Sequence, residues 1–193
     1  MTPHRTFGPF SVAPAVDILL MSISTRREIM QFVYRGEDNA HAGKPGRTPA
    51  DVRKAGGFTP WQARTLADAR KNLVTLVQAG TLAQQAQSWC LYKNKENGWF
   101  FSTGTDTQTA YDHYDFFYRL TTTGLQKAEW SVMGAGVNVK GMSLFLNGTS
   151  LDNSTLIAVI WSVRPTELLV MTPVPVSAIE VKAADQWKPL SGY

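Results

Sequence analysis

Cysteine is nearly absent from this chain, which has 193 residues and a single cysteine, Cys90. One cysteine forms no disulfide within the chain, and it cannot supply the several thiolates of a cysteine-based metal site. An intrachain disulfide and a cysteine-based metal site are therefore both excluded as ways of stabilising the fold. The chain does not need them, because 193 residues with a hydrophobic fraction of 44% are enough to bury a core.

Charge and long apolar runs are also scarce. Charged residues make up 18% of the chain, the net charge is +4, and no basic run is longer than Arg26-Arg27. Such scattered charge permits a nucleic-acid partner without indicating one, because binding usually uses dense basic patches. The apolar stretch at residues 16–23, "VDILLMSI", is too short to cross a membrane and lacks signal-peptide flanks. We therefore expect no membrane partner.

Proline and glycine set off the first residues of the chain, "MTPHRTFGPFSVAPA". This composition is typical of an arm or a linker. We therefore expect an N-terminal arm or linker at residues 1–15 and a single domain at residues 16–193. The sequence has no internal repeat and no low-complexity tract.

Two predicted helix starts in the first half of the chain have the same sequence pattern. Thr48 is placed to cap a helix, Pro49 suits its first position, and Gly56-Gly57 ends it. The sequence Thr59-Pro60 repeats this start and predicts a second helix that reaches Ala79, stops near Gly80 and resumes over residues 81–89. The apolar face of this second helix consists of Leu66, Leu73, Leu76 and Val77.

The composition changes after Cys90, where segments rich in β-branched and aromatic residues are separated by turn residues. Strands are predicted at residues 98–104, 115–121, 142–148, 155–163 and 176–182, with an earlier strand at "FVYR". Helices early and strands late indicate an α+β fold with a mixed, mainly antiparallel sheet.

The usual cofactor and metal motifs are missing. "GAGVNVKG" at residues 134–141 has Val139 where a dinucleotide loop needs its third glycine, and Gly43-Lys44 lacks the upstream glycine of a phosphate loop. The three histidines, His4, His41 and His113, are far apart along the chain and form no paired zinc motif. We therefore expect no bound metal.

Three polar residues lie at or next to the ends of predicted strands. Arg35 ends "FVYR", Ser102 and Thr103 end "WFFST", and Glu167 follows "AVIWSVRPT". Each is ordinary alone, because a strand-end arginine commonly pairs with an acid and a lone glutamate is commonly solvated. An arginine–glutamate pair with a hydroxyl, serving as a buried polar network, is the alternative to a functional site.

In this order, however, the three segments resemble the cholera-toxin and pertussis-toxin group of mono-ADP-ribosyltransferases. "VYRGED", "RTPADV" and "GGFTPW" resemble the opening of that family, and "WFFSTG" resembles its aromatic Ser-Thr-Ser strand. "TELLVMTPVPVSAI" resembles its catalytic segment, because Glu167 is followed eight residues later by Pro175 and twelve later by Ile179, as in the family. The resemblance extends from about Val33 to about Val181.

The resemblance implies an ADP-ribosyltransferase-like fold with sheets around a cleft that binds NAD, which is the substrate. It makes Glu167 the carboxylate that stabilises positive charge on the ribose, Ser102 the residue that orients Glu167 or nicotinamide, and Arg35 the partner of the pyrophosphate. The residues it places in contact with NAD are Arg35, Gly36, Ser102, Thr103 and Phe58. Phe58 or Trp61 could pack beside the cofactor, but a core role is the favoured interpretation of both.

The chain departs from the family pattern at three places. Pro165 stands where arginine-modifying members carry the first glutamate of Glu-x-Glu, and proline has no side-chain acceptor, which argues against arginine as the acceptor. Gly104 replaces the last serine of Ser-Thr-Ser. A histidine that some members carry has no counterpart between Gly57 and Phe101. His41 lies in the preceding insertion, so it is a candidate for that place only if the fold brings it to the site. The alternative is that His41 is a loop residue without a role.

The function predicted from this pattern is that of a toxin or effector domain that cleaves NAD, releases nicotinamide and transfers ADP-ribose to a protein or nucleic acid, RNA among them. As such, it is expected to act in the cytoplasm of a target cell, to arrive as part of a larger secreted protein with a delivery subunit or domain, and to have an immunity protein. The alternatives are an NAD glycohydrolase, with water as the acceptor, and a non-enzymatic module that binds nucleic acid or glycans through Trp99, Tyr111 and Tyr114.

Overall fold

The computed structural model of the protein describes residues 29–41, 44–45, 47–92, 98–107, 114–128, 141–147 and 156–193. The predicted arm at residues 1–15 lies outside these ranges. The helices are α1 (Pro49–Lys54), α2 (Leu66–Gln78) and α3 (Leu82–Tyr92). The strands are β1 (Ile29–Glu37), β2 (Ala40–His41), β3 (Lys44–Pro45), β4 (Gly57–Phe58), β5 (Phe101–Gly104), β6 (Phe116–Ala128), β7 (Met142–Leu146), β8 (Ile157–Trp161), β9 (Glu167–Val170), β10 (Val174–Pro175), β11 (Ile179–Ala183) and β12 (Gln186–Pro189).

Six of the strands close into a barrel. Their order is β1-β5-β9-β8-β7-β6, and β6 pairs back onto β1. The long strand β6 also carries β11 and β12 on its other edge. Every pairing among the described strands is antiparallel, so the predicted α+β class with a mainly antiparallel sheet is confirmed. The predicted mixed character of the sheet is corrected, because the described pairings include no parallel one and the main sheet closes on itself. The arrangement of sheets around an NAD cleft stays a prediction.

The two faces of the barrel strands belong to two different hydrophobic cores. The inner core contains Val33, Phe101, Leu168, Val170 and Tyr118, together with Phe58 from β4. The outer core lies between the strands β7, β8 and β9 and the helices α2 and α3, which are too large to sit inside so small a barrel. Because side chains alternate along a strand, neighbouring residues enter different cores.

The helix boundaries follow their capping residues. In α1 the Thr48 side chain and the Asp51 carboxylate form a reciprocal capping box, as the sequence predicts. The second helix, however, starts at Leu66 because Thr65 and Asp68 form the stronger start, and the predicted start at Thr59 is wrong. Gly57 and Phe58 before it pair with β10, and Trp61 is 78% exposed, so its predicted core role is wrong too.

The strands predicted after Cys90 are present with shorter or shifted ends, except that β6 continues to Ala128, and the strand predicted at residues 32–35 extends over Ile29–Glu37. Strands β9 and β12 and the two-residue strands β2, β3, β4 and β10 were not predicted. In β9 the run from Glu167 to Val170 is short and uninterrupted in its apolar part, as expected for a strand buried on both faces. Among the described helices, none combines the length and the hydrophobicity that crossing a membrane takes.

Candidate active site

Arg35, Ser102 and Glu167 lie on three consecutive strands of the barrel, β1, β5 and β9. Gly104 links their registers, since it is opposite Tyr34 of β1 on one side and opposite Glu167 on the other. Residues far apart along the chain are thus brought to one end of three neighbouring strands. The barrel does this because β5 is inserted between β1 and β9.

The alternation of side chains places these residues on two faces. Ser102 is opposite Leu169, which belongs to the outer core, and Glu167 lies two residues before Leu169 on the same face. Arg35 is opposite Tyr118, which belongs to the inner core. Ser102 and Glu167 therefore share the outer face, whereas the guanidinium of Arg35 lies on the inner face.

Arg35 connects β1 to β5 from this inner side. Its Nη1 donates to the carbonyl oxygen of Ser102, and its Nε donates to Glu37 Oε1 at 2.6 Å. The guanidinium lies 5.2 Å and 5.5 Å from the ring centroids of Phe58 and Phe101, and its side chain is 18% exposed. In this arrangement the positive charge is balanced by Glu37, and the group braces the strand that carries Ser102.

A second arginine lies at the same end of the barrel. Arg47 Nη1 is 4.0 Å from Glu37 Oε1, and the carbonyl oxygen of Arg47 accepts a hydrogen bond from Tyr118 at 2.9 Å. Partial burial and the charge of Arg35 lower the pKa of Arg47, against the opposing effect of Glu37. Two guanidinium groups are thus close to the one carboxylate of Glu37.

The outer-face pair, Ser102 and Glu167, is contacted by helix α3. Trp89 Nε1 donates to Ser102 Oγ at 2.8 Å, and the buried Cys90 belongs to the outer core, on the same side of the strands as Glu167. Burial, then the charge and hydrogen bond of Glu167, raise the pKa of Cys90 to about 12. Arg164 Nη1 lies 3.6 Å from Glu167 Oε2, and the Glu167 side chain is 21% exposed. A carboxylate and a hydroxyl thus lie on the same face of two neighbouring strands, with partial access to solvent.

The remaining predicted contacts have mainly structural surroundings. Thr103 is buried, and its hydroxyl donates to the Leu168 carbonyl at 2.9 Å, which joins β5 to β9. Phe58 is fully buried in the inner core and reaches the surface at no point. At Gly36 the ring of Tyr114 lies 2.0 Å from the position that a β-carbon would take, so only glycine admits this contact. Any NAD contact at Gly36 would therefore involve Tyr114 as well.

The other singled-out residues lie away from this pair. His41 pairs with Lys44 in the β2–β3 hairpin. Trp99 packs against the outer core and Tyr114 is 47% exposed, while Tyr111 lies outside the described residues. Within the described ranges, no three His, Cys, Asp or Glu side chains come close enough to share a metal ion.

Sequence reasoning did not identify Glu37, Trp89 or Cys90 as neighbours of the site. Glu37 could have been found, because residues two apart on a strand share a face and Arg35 precedes it by two. Trp89 and Cys90 carry no such signal, since their contacts depend on how α3 packs against the sheet.

Comparison with known proteins gives no family assignment: no protein-family model matches the chain, and no curated protein matches it either.

Proposed function

We propose that the protein is a mono-ADP-ribosyltransferase with an ADP-ribosyltransferase-like fold, which cleaves NAD and transfers ADP-ribose to a macromolecular acceptor. The observation that supports the proposal is the placement of three motif residues at one end of three adjacent strands. Arg35, Ser102 and Glu167 belong to separate segments that resemble one family in order, and they lie on β1, β5 and β9 with Arg35 bonded to the Ser102 backbone.

The chemistry assigned to the pair on the outer face is glycosidic bond cleavage. The bond from the nicotinamide nitrogen to the ribose C1′ breaks, and its electron pair leaves with nicotinamide. The carboxylate of Glu167 stabilises the positive charge that develops on the sugar, and Ser102 orients the carboxylate or the nicotinamide end. The acceptor's nucleophilic atom then bonds C1′, and its proton passes to Glu167 or to solvent.

Arg35 has a different role in this proposal from direct contact with the pyrophosphate. Its guanidinium is held on the inner face by Glu37 and the Ser102 carbonyl, so it fixes β5 behind the reacting groups. Arg47, which is half exposed beside it, adds to the positive charge that would attract the phosphates at this end of the barrel.

The acceptor is a protein or a nucleic acid, and on a protein it is a side chain other than arginine. Pro165 and Thr166 are exposed immediately before Glu167, and neither offers a second carboxylate to receive a guanidinium. The toxin or effector role, action in the cytoplasm of a target cell, delivery within a larger secreted protein and an immunity partner all belong to this same proposal, and the family resemblance supports them.

A labelled-NAD assay with cell lysate tests the function. We expect nicotinamide release and label fixed to macromolecules, with a loss of about 10²- to 10³-fold in Glu167→Gln. Glu180→Gln is the matched control, because Glu180 is also a partly exposed strand glutamate paired with an arginine, Arg119. Equal NAD cleavage by the parent and Glu167→Gln would remove Glu167 from the reaction.

An NAD glycohydrolase is the second candidate, favoured by the absence of an acceptor-binding carboxylate at Pro165. The same assay separates the two, because hydrolysis yields only free ADP-ribose while transfer yields label that nuclease or protease releases. If NAD is not cleaved and does not raise the melting temperature, but an oligonucleotide or glycan does, the protein is a binding module.

A further inference from the structure

A side chain of helix α3 contacts the hydroxyl group on the outer face of the barrel. Trp89 Nε1 donates to Ser102 Oγ at 2.8 Å. We propose that Trp89 is a positioning residue, which sets the orientation of the Ser102 hydroxyl for NAD cleavage. This inference rests on the proposed function.

The Trp89 contact determines what the serine can do. An indole N–H donates and never accepts, so Trp89 occupies an acceptor position of the Ser102 oxygen and leaves the hydroxyl hydrogen for another group. The ring of Trp89 is fixed in turn by an edge-on contact with Phe100, whose centroid is 6.0 Å away. The hydroxyl is therefore held in one rotamer, with its hydrogen free to reach Glu167 or the substrate.

Trp89→Phe tests the hydrogen bond from Trp89 to Ser102, because phenylalanine keeps an aromatic ring and removes the indole N–H. Trp99→Phe is the matched control: Trp99 packs against the same core, and its buried indole nitrogen has no hydrogen-bond partner among the described residues. We expect kcat for nicotinamide release to fall about tenfold in Trp89→Phe with KM within about twofold, and both constants to stay near the parent's in Trp99→Phe.

An activity-independent readout separates this inference from the proposed function. In ¹H–¹⁵N spectra of the full chain, Ser102→Ala should shift the indole N–H signal of Trp89 and leave that of Trp99 in place. Absence of NAD cleavage by the parent overturns the proposed function and this role with it. Full activity of Trp89→Phe beside an inactive Glu167→Gln, or an unmoved Trp89 signal in Ser102→Ala, overturns only the positioning role.

Discussion

The thiol of Cys90 is, at the scale of single residues, a buried donor rather than a nucleophile. Because the thiolate is the reactive form and the pKa of Cys90 is raised to about 12, almost none is present at neutral pH. We expect iodoacetamide at about pH 8 to leave the folded chain unmodified and to label one site in urea, as read by mass spectrometry. Rapid labelling of the folded chain would contradict the buried contact with Glu167.

The same residue makes the fold sensitive to alkaline pH. The ordinary pKa of the thiol is 9.0 and the folded value is about 12, so its contribution to stability is complete below about pH 9 and is lost as pH rises toward 12. Burial also raises the pKa of Tyr118, which acts in the same direction. We expect the free energy of unfolding to decline over this range, and to decline less steeply in Cys90→Ala, as measured by urea titration.

At the scale of elements, the start of α2 depends on a capping box. The Thr65 side chain accepts from the Asp68 backbone N–H, and the Asp68 carboxylate accepts from the N–H of Thr65 at 2.9 Å. We expect Thr65→Ala to lower the free energy of unfolding by about 1 kcal/mol. Thr75→Ala, inside the same helix and exposed, should change it little.

The Asp68 carboxylate in this cap makes the stability of α2 depend on pH in the acidic range. Hydrogen bonds from Thr65 lower the pKa of Asp68 below its ordinary value of 3.8. A lowered pKa stabilises the fold above the ordinary value, and that contribution is lost as pH falls through the folded value. We therefore expect Asp68→Asn to be less stable than the parent at neutral pH and to match it at about pH 2, measured by circular dichroism on urea titration.

The turn after α1 requires two glycines for different reasons. Gly56 has a φ of +81° with open space around its α-carbon, whereas Gly57 has a φ of +121° and a β-carbon there would lie 2.1 Å from the carbonyl oxygen of Val174. We expect Gly56→Ala to cost about 1–2 kcal/mol and Gly57→Ala about 2–5 kcal/mol in unfolding free energy, measured by urea denaturation. Equal costs would mean that β4 and β10 are not packed as described.

The sequence signals predicted most elements because they are local. Thr48 with Asp51, and the glycines after α1, act within a few residues, so α1 appears where it was predicted. The predicted start of α2 is wrong because Thr59-Pro60 has the same residues as Thr48-Pro49 but directly follows β4, which pairs with β10. Closure of the barrel was not predictable, since it depends on β6 reaching β1 across the chain.

At the scale of the whole molecule, the barrel has a thin seam between β1 and β5. These strands pair only at Tyr34 and Gly104 in the described residues, whereas β1 follows β6 along almost its whole length. The bond from Arg35 to the Ser102 carbonyl crosses this seam. The site could be predicted as a set of residues but not as an arrangement, because the face that Arg35 occupies depends on the register of three strands.

The seam predicts how Arg35 variants behave. We expect Arg35→Met to lower the free energy of unfolding by about 2–4 kcal/mol, because Glu37, whose side chain is 15% exposed, loses its close partner. Adding Glu37→Gln should recover most of that stability and none of the NAD cleavage, since β5 stays unbraced. Urea titration and nicotinamide release measure the two effects separately, and an active double variant would contradict the bracing role.

The single, shielded thiol of Cys90 also makes this chain a clean background for site-specific chemistry. A thiol introduced on the tight turn between β11 and β12, as in Asp185→Cys, is exposed and would be the fast-reacting one in the folded chain. A fluorophore or photocrosslinker could be attached there without first replacing the native cysteine. The acceptor macromolecule could then be captured on a protein whose helix α3 is unaltered.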